Sequence, residues 1–206
     1  MQKKYNTKDD VILLKTDYNI QKLKEECNTI INLPLDEINK NKYGLKNWNK
    51  YPLYLPISGD NHFKKSTSIV TNGFTNFIFK PTKYLDNCPY IREIINSFDT
   101  KIYYVHLSKL SSRAQIPKHK DIDGGAKDWL NFYKVMRFHI PIITNPGVTF
   151  FIGDPILKKH YLKEGNLYFT RTGDTTHCVE NNSDQDRYHL IIDLKPTQKL
   201  LNKILL

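Results

Sequence analysis

Ile102-Tyr103-Tyr104-Val105-His106-Leu107-Ser108-Lys109-Leu110 is a nearly continuous run of β-formers, and it marks a change of texture in the chain. Similar runs follow at 134–144, 147–152, 165–171 and 187–194, parted by clusters of Gly, Pro, Asn and Asp. Short strands separated by turn residues predict an antiparallel sandwich or jelly roll. Upstream the pattern is mixed. Val11-Ile12-Leu13-Leu14 suits a short strand. Ile20, Leu23, Cys27, Ile30 and Ile31 recur at helical spacing and predict an amphipathic helix stopped by Pro34. Residues 40–66, rich in Asn, Lys, Tyr and Pro, read as irregular or short-stranded. Ile69 to Phe79 reads as strand, and Ile91, Ile94, Ile95 and Phe98 as a second helix. After Pro196, Leu200, Leu201, Ile204 and Leu205 share a helical face that would dock on the sheet.

The expected class is mainly β with flanking helices. The 206 residues suit a single domain. Within it, 1–99 would support the barrel and its substrate side, 100–196 would form the jelly-roll core, and 197–206 a closing helix. Charge is +10, but the basic residues are spread along the chain and Asn and Ile are abundant as well. A nucleic-acid partner and a merely compositional bias both fit that spread. Cys27, Cys88 and Cys178 are far apart and form no Cys-x-x-Cys, which argues against a disulfide framework or zinc knuckle and for a reducing compartment. With no signal-like stretch after Met1 and no run long enough to span a bilayer, a soluble cytoplasmic protein without a membrane partner is expected.

The chemistry concentrates between residues 117 and 189. In an extended strand i and i+2 share a face, so His119 and Asp121 can reach one ion, with His177 closing the triangle from a neighbouring strand. Two imidazoles and a carboxylate on one face of an octahedral ion leave three positions open, the arrangement of non-haem Fe(II) oxygenases. A His-x-Asp by itself is a weak signal. Arg187 strengthens it, ten residues beyond His177 across the turn-like Asn181-Asn182-Ser183-Asp184. A hairpin there would set Arg187 beside the His177 strand, facing the same interior. A buried arginine is costly unless a carboxylate meets it, and its fork suits bidentate capture of one. Either a 2-oxoacid cosubstrate or an ion pair with Asp174 or Asp193 satisfies that requirement.

Five ordered pieces carry a resemblance over roughly 100–196. They are Ile116-Pro117-Lys118-His119-Lys120-Asp121, Arg137-Phe138-His139-Ile140-Pro141-Ile142 leading into Asn145-Pro146-Gly147-Val148, Glu164-Gly165-Asn166-Leu167, His177-Cys178-Val179-Glu180-Asn181, and Asp186-Arg187-Tyr188-His189-Leu190-Ile191-Ile192-Asp193. In these the chain resembles the aspartyl/asparaginyl β-hydroxylase-like branch of Fe(II)/2-oxoglutarate oxygenases, which also holds free-proline hydroxylases. The resemblance implies a double-stranded β-helix, the cupin-like jelly roll. It implies Fe(II), 2-oxoglutarate and O2 as cofactors, with His119, Asp121 and His177 as iron ligands and Arg187 on the distal carboxylate. Ser108 would assist Arg187, and Arg137 and His139 would approach the cosubstrate. The implied reaction is hydroxylation of an unactivated C–H bond of an amino-acid side chain, free or in a peptide, with release of succinate and CO2.

Several readings stay open. His139 also suits a core histidine bonded to backbone, and His189 shares the side parity of Arg187. Trp48, Tyr51 and Tyr54 either pack the barrel or line a substrate pocket. Gly124, Gly125 and Trp129 fit a lid over substrate as well as a plain loop. His62, His106 and His160 carry no motif and read as surface or structural. A demethylase of nucleic acid or methylated protein on the same core is a rival, although Arg187 has no arginine partner downstream. A non-catalytic jelly roll holding a metal or small acid is another.

Overall fold

The computed structural model describes residues 7, 9–15, 17–34, 47–57, 78–121 and 135–205. The strands are β1 (Val11–Lys15), β2 (Trp48–Ile57), β3 (Ile78–Pro81), β4 (Ile102–Leu110), β5 (Gln115–His119), β6 (Met136–Ile143), β7 (Val148–Ile152), β8 (Lys158–His160), β9 (Leu167–Thr170), β10 (His177–Asn181) and β11 (Arg187–Leu194). They form a seven-stranded sheet, β1-β9-β6-β11-β4-β2-β3, and a four-stranded sheet, β5-β10-β7-β8. From β4 onward the chain passes repeatedly from one sheet to the other, with antiparallel pairing throughout. That is the double-stranded β-helix.

Two expectations need correction. β10 and β11 are not a hairpin: β10 pairs with β5 and β7 in the small sheet, while β11 pairs with β4 and β6 in the large one. The turn after Asn181 carries the chain across the sandwich, so His177 and Arg187 face one interior from opposite walls. Residues 48–57, expected to be irregular or short-stranded, form one strand of 10 residues. Pro52 is absorbed at a register shift between Pro52 and Tyr54, beyond which Tyr54 pairs with Val105, and Pro56 lies opposite Phe79 of β3.

In the large sheet, alternation along each strand separates two environments. Val105 and Leu107 of β4, Phe138, Ile140 and Ile142 of β6, and Leu190 and Ile192 of β11 form a dry face. Each such buried side chain stabilises the fold by roughly 1.5–3 kcal/mol. Three helices cover this face: α1 (Ile20–Ile31), α2 (Pro89–Asn96) and α3 (Gln198–Leu205). On α3 only Leu200 and Ile204 are buried; Leu205, expected on the docked face, is 50% exposed. The intervening residues of the same strands, His106 and Ser108, Arg137 and His139, Arg187 and Ile191, point the other way into a pocket between the sheets.

Sequence spacing places Glu26 among the solvated charges of α1, yet it is buried. Its two carboxylate oxygens accept the N–H groups of Tyr90 and Ile91, each at 2.7 Å. Cys88 at the start of α2 offers no side-chain cap, so Glu26 supplies one from another helix and places its charge at the positive end of α2. Glu26→Ala is expected to destabilise the protein by about 2 kcal/mol in urea denaturation with an unchanged m-value; a change below about 0.5 kcal/mol would mean the cap contributes little.

Candidate metal centre and cosubstrate pocket

His119 ends β5 and His177 begins β10, and the two are direct cross-strand partners with ring centroids 4.1 Å apart. Asp121 lies just past β5, its N–H bonded to the Thr172 carbonyl at 3.2 Å. The strand expected to carry both His119 and Asp121 therefore stops at His119, and the backbone bond to Thr172 performs the aiming. Each imidazole gives Nδ1 to a carbonyl two residues earlier: His119 to Pro117 at 2.8 Å and His177 to Thr175 at 3.1 Å. That fixes the tautomer and leaves both Nε2 lone pairs directed at the centre. Nε2 of His119 stands 3.8 Å and Nε2 of His177 4.0 Å from Asp121 Oδ1. Two donors bonding one cation at about 2.1 Å each are at most about 4.2 Å apart, so both separations suit a shared ion. Among the described residues this is the one such His/Cys/Asp/Glu group.

Burial pushes the His177 imidazole down to about 4, against the pull of Asp121, so its lone pair is free at neutral pH. Burial would raise the Asp121 carboxyl, but Arg137 and His177 outweigh it and hold it well below the carboxylate range. Both groups are thus in the protonation state that metal binding requires.

Arg137 is expected on the cosubstrate; the structure commits it to carboxylates instead. Nε and Nη2 grip both oxygens of buried Asp193 at 2.7 and 2.8 Å, and Nη1 donates a short hydrogen bond to Asp121 Oδ2. Burial opposes the Arg137 charge, yet the two carboxylates together hold its pKa above the ordinary range. Arg137 and Asp193 face each other across the β6–β11 ladder, which explains the pairing.

Arg187 is the opposite case. It is 2% exposed and, among the described residues, has no carboxylate partner, because Asp193 is held by Arg137 and Asp174 by Arg171. Burial alone pulls its pKa down to about 9, which still leaves it charged at pH 7. Nη2 donates to His189 Nδ1 at 2.6 Å, so that imidazole carries its proton on Nε2. His189 Nε2, Arg187 Nε and both ring nitrogens of His139 are buried without hydrogen-bond partners among the described residues. The reading of His139 as a backbone-bonded core residue is not what the structure has. Burial, reinforced by Arg187, drives His139 and His189 well below the usual imidazole range. Ser108 faces the pocket too, its hydroxyl accepting Trp48 Nε1–H at 3.0 Å.

The pocket opens between the two sheets, with about 450 Å³ of empty space when the solvent at its mouth is counted. Ile116, Phe150, Val179 and Ile191 give it apolar walls. Of the aromatics on β2 only Trp48 reaches it, with its ring 6.2 Å from that of His119; Tyr51 packs edge-on against Tyr84 on the other face. Two lining residues escape a motif search. His106 is buried in the pocket wall, stacked on Tyr104, rather than on the surface. Lys50 enters from β2, opposite Ser108. Strand parity from Trp48 would have found Lys50 had 48–57 been read as a strand. Trp129, Gly124, Gly125 and His62 lie outside the described residues.

The Aspartyl/Asparaginyl beta-hydroxylase family profile matches residues 17–196. The chain belongs to that family. It is therefore a 2-oxoglutarate-dependent hydroxylase, with Fe(II), 2-oxoglutarate and O2 as its cofactors. Solved structures of similar fold share little sequence. A prolyl hydroxylase from Trichoplax adhaerens, in complex with a hypoxia inducible factor oxygen degradation domain peptide fragment, is 9% identical with a TM-score of 0.55, over 91% of this chain and 84% of that one. A Pseudomonas putida prolyl-4-hydroxylase is 13% identical with a TM-score of 0.53, over 92% of this chain and 94% of that one. A 2OG-Fe(II) oxygenase family oxidoreductase from Burkholderia pseudomallei is 12% identical with a TM-score of 0.53, over 90% of this chain and 84% of that one. No curated protein sequence matches. Among the described residues no helix is long and apolar enough to cross a membrane.

The residues present fit the family's cofactors. The His, Asp, His donor set suits Fe(II), and the unmatched guanidinium beside unpartnered imidazole nitrogens suits an acid with several acceptor oxygens. Half-buried Arg137 and buried Arg187, on neighbouring strands, should consequently respond in opposite ways to removal. Arg137→Ala strands Asp193 and is expected to cost about 3–5 kcal/mol. Arg187→Met removes an uncompensated charge and should leave the cofactor-free protein at least as stable as wild type. Thermal melts of both variants check this; a larger loss for Arg187→Met than for Arg137→Ala would overturn the pairing.

Proposed function

We propose that this hydroxylase acts on an unactivated C–H bond of an amino-acid side chain, in a free amino acid or a peptide, with His119, Asp121 and His177 holding Fe(II) and Arg187 the distal carboxylate of 2-oxoglutarate. The observation that carries the reading is the pairing of a pre-aligned His119–Asp121–His177 cluster with a buried, uncompensated Arg187 across one pocket.

When bound, the iron and its cosubstrate supply the oxidation: 2-oxoglutarate loses CO2 to become succinate, and one atom of O2 enters the substrate C–H bond. The protein supplies position. His119 and His177 present Nε2 because Pro117 and Thr175 take Nδ1–H. Asp121 is held by its own N–H on Thr172 and by Arg137, whose charge is anchored on Asp193. Arg187 is oriented by His189 and gains the counter-charge that the described residues do not provide. His139, with no partner for either ring nitrogen, can donate one N–H to an oxygen of the bound acid. Ile116, Phe150, Val179 and Ile191 keep water from the reacting carbon. The ammonium of Lys50 and the indole of Trp48 border the remaining space, on the side expected to meet the substrate.

Aerobic incubation with Fe(II) and 2-oxoglutarate should release succinate, faster with a true amino-acid substrate, which gains one oxygen by mass. His177→Ala should form succinate at below about a hundredth of the wild-type rate. Arg187→Met should raise the 2-oxoglutarate KM at least about 100-fold, the scale of a buried charge-assisted pair. Near-normal succinate release by His177→Ala would refute the ligand assignment. An unchanged KM in Arg187→Met would remove Arg187 from its role.

A further inference from the structure

Lys50 carries a charge for which the cofactors have no use. It is two residues from Trp48 on β2, on the same pocket-facing side, opposite Ser108 of β4. Its Nζ stands 4.4 Å from the Trp48 ring centroid, and that ring neighbours His119 at 6.2 Å. Lys24, Lys109 and Lys120 each meet a carboxylate at 2.7–2.9 Å, but Lys50 forms no ion pair among the described residues. Burial, aided by Arg137, lowers its pKa to about 8 although Asp121 and Asp193 pull it back up, so the ammonium is partly desolvated and without a close counter-charge.

The charges around the pocket define what is missing. Lys50, Arg137 and Arg187 are cationic, and Asp121 and Asp193 cancel two of the three. Fe(II) adds two positive charges and 2-oxoglutarate two negative ones, so the loaded pocket keeps one positive charge. The two carboxylates of 2-oxoglutarate are taken by the metal and Arg187 in the reading proposed above, on which this inference rests. The complement still required is one anionic group beside Lys50. An ammonium suits a single carboxylate there, since it is a compact charge with three donors on a flexible stem.

We infer that Lys50 is a specificity-determining residue that receives the carboxylate of the substrate, so that the pocket selects a free, carboxylate-bearing amino acid over the corresponding carboxamide, which lacks that anionic group. A carboxamide of the same shape would leave the partly desolvated ammonium without its charge partner.

The test uses the Zn(II)-loaded protein saturated with 2-oxoglutarate, which binds substrate without turning it over. It is titrated calorimetrically with the common L-amino acids and with the carboxamide of each. At least one acid is expected to bind about 30-fold or more tightly than its own amide, the scale of a charge-assisted hydrogen bond. Lys50→Met should reduce that preference below about threefold, Lys50→Arg should restore part of it, and 2-oxoglutarate affinity should stay within about twofold in both. Failure of every acid to outbind its amide by about threefold, including failure of any acid to bind, overturns the inference. So does a loss of 2-oxoglutarate affinity in Lys50→Met comparable to the loss of acid affinity, which would assign Lys50 to the cosubstrate. If wild-type Zn(II) protein does not bind 2-oxoglutarate, the cosubstrate site fails first and the Lys50 assignment falls with it.

Discussion

A β-strand turns successive side chains to opposite faces, and in β4, β6 and β11 that alternation divides two chemistries. One set of positions, including Val105, Leu107, Phe138, Ile140, Leu190 and Ile192, is apolar and packed against three helices. The other set, a residue out of step, brings His106, Ser108, Arg137, His139, Arg187 and His189 into the interior. Neither set could move by one residue without burying charges under the helices. The dry face therefore fixes the register that aims the polar one, and the small sheet needs to bring only His119 and His177 to meet it.

The interior polar face is uneven in its electrostatics. Arg137 is over-satisfied, bridging Asp193 to Asp121, and so ties the acidic member of the metal cluster to the floor of the large sheet. Arg187 is under-satisfied, surrounded by imidazoles that burial keeps neutral. A folded protein retains an unmatched buried charge at a cost, and in the function proposed above a dicarboxylic cosubstrate removes that cost when it binds. The same reasoning extends outward to Lys50, where the remaining positive charge borders the space left for substrate.

The sequence made some of this legible and hid the rest for physical reasons. His119 and Asp121 stand out because i, i+2 spacing is a local pattern, His177 because of the family resemblance around it, and Arg187 because an inward arginine demands an explanation. The partner of Arg137 was not readable: Asp193 is 56 residues away and meets it only through the β6–β11 register. Turn residues after Asn181 announced a reversal but could not say that the chain would change sheets. Pro52 and Pro56 disguised β2 as irregular, and Lys50 was lost with it. Glu26 looked like any helical surface charge, because its use as a cap for α2 depends on backbone 64 and 65 residues further along the chain. The segment that fits either a lid or a plain loop, with Trp129, lies outside the described residues.

The most direct examination of the account is a crystal structure of the protein grown anaerobically with Mn(II) and 2-oxoglutarate, with the metal located by its anomalous scattering. The account predicts one metal bonded at about 2.0–2.3 Å to Nε2 of His119, a carboxylate oxygen of Asp121 and Nε2 of His177, with the far carboxylate of 2-oxoglutarate against the guanidinium of Arg187. A metal bound elsewhere, or a cosubstrate whose far carboxylate avoids Arg187, would contradict it.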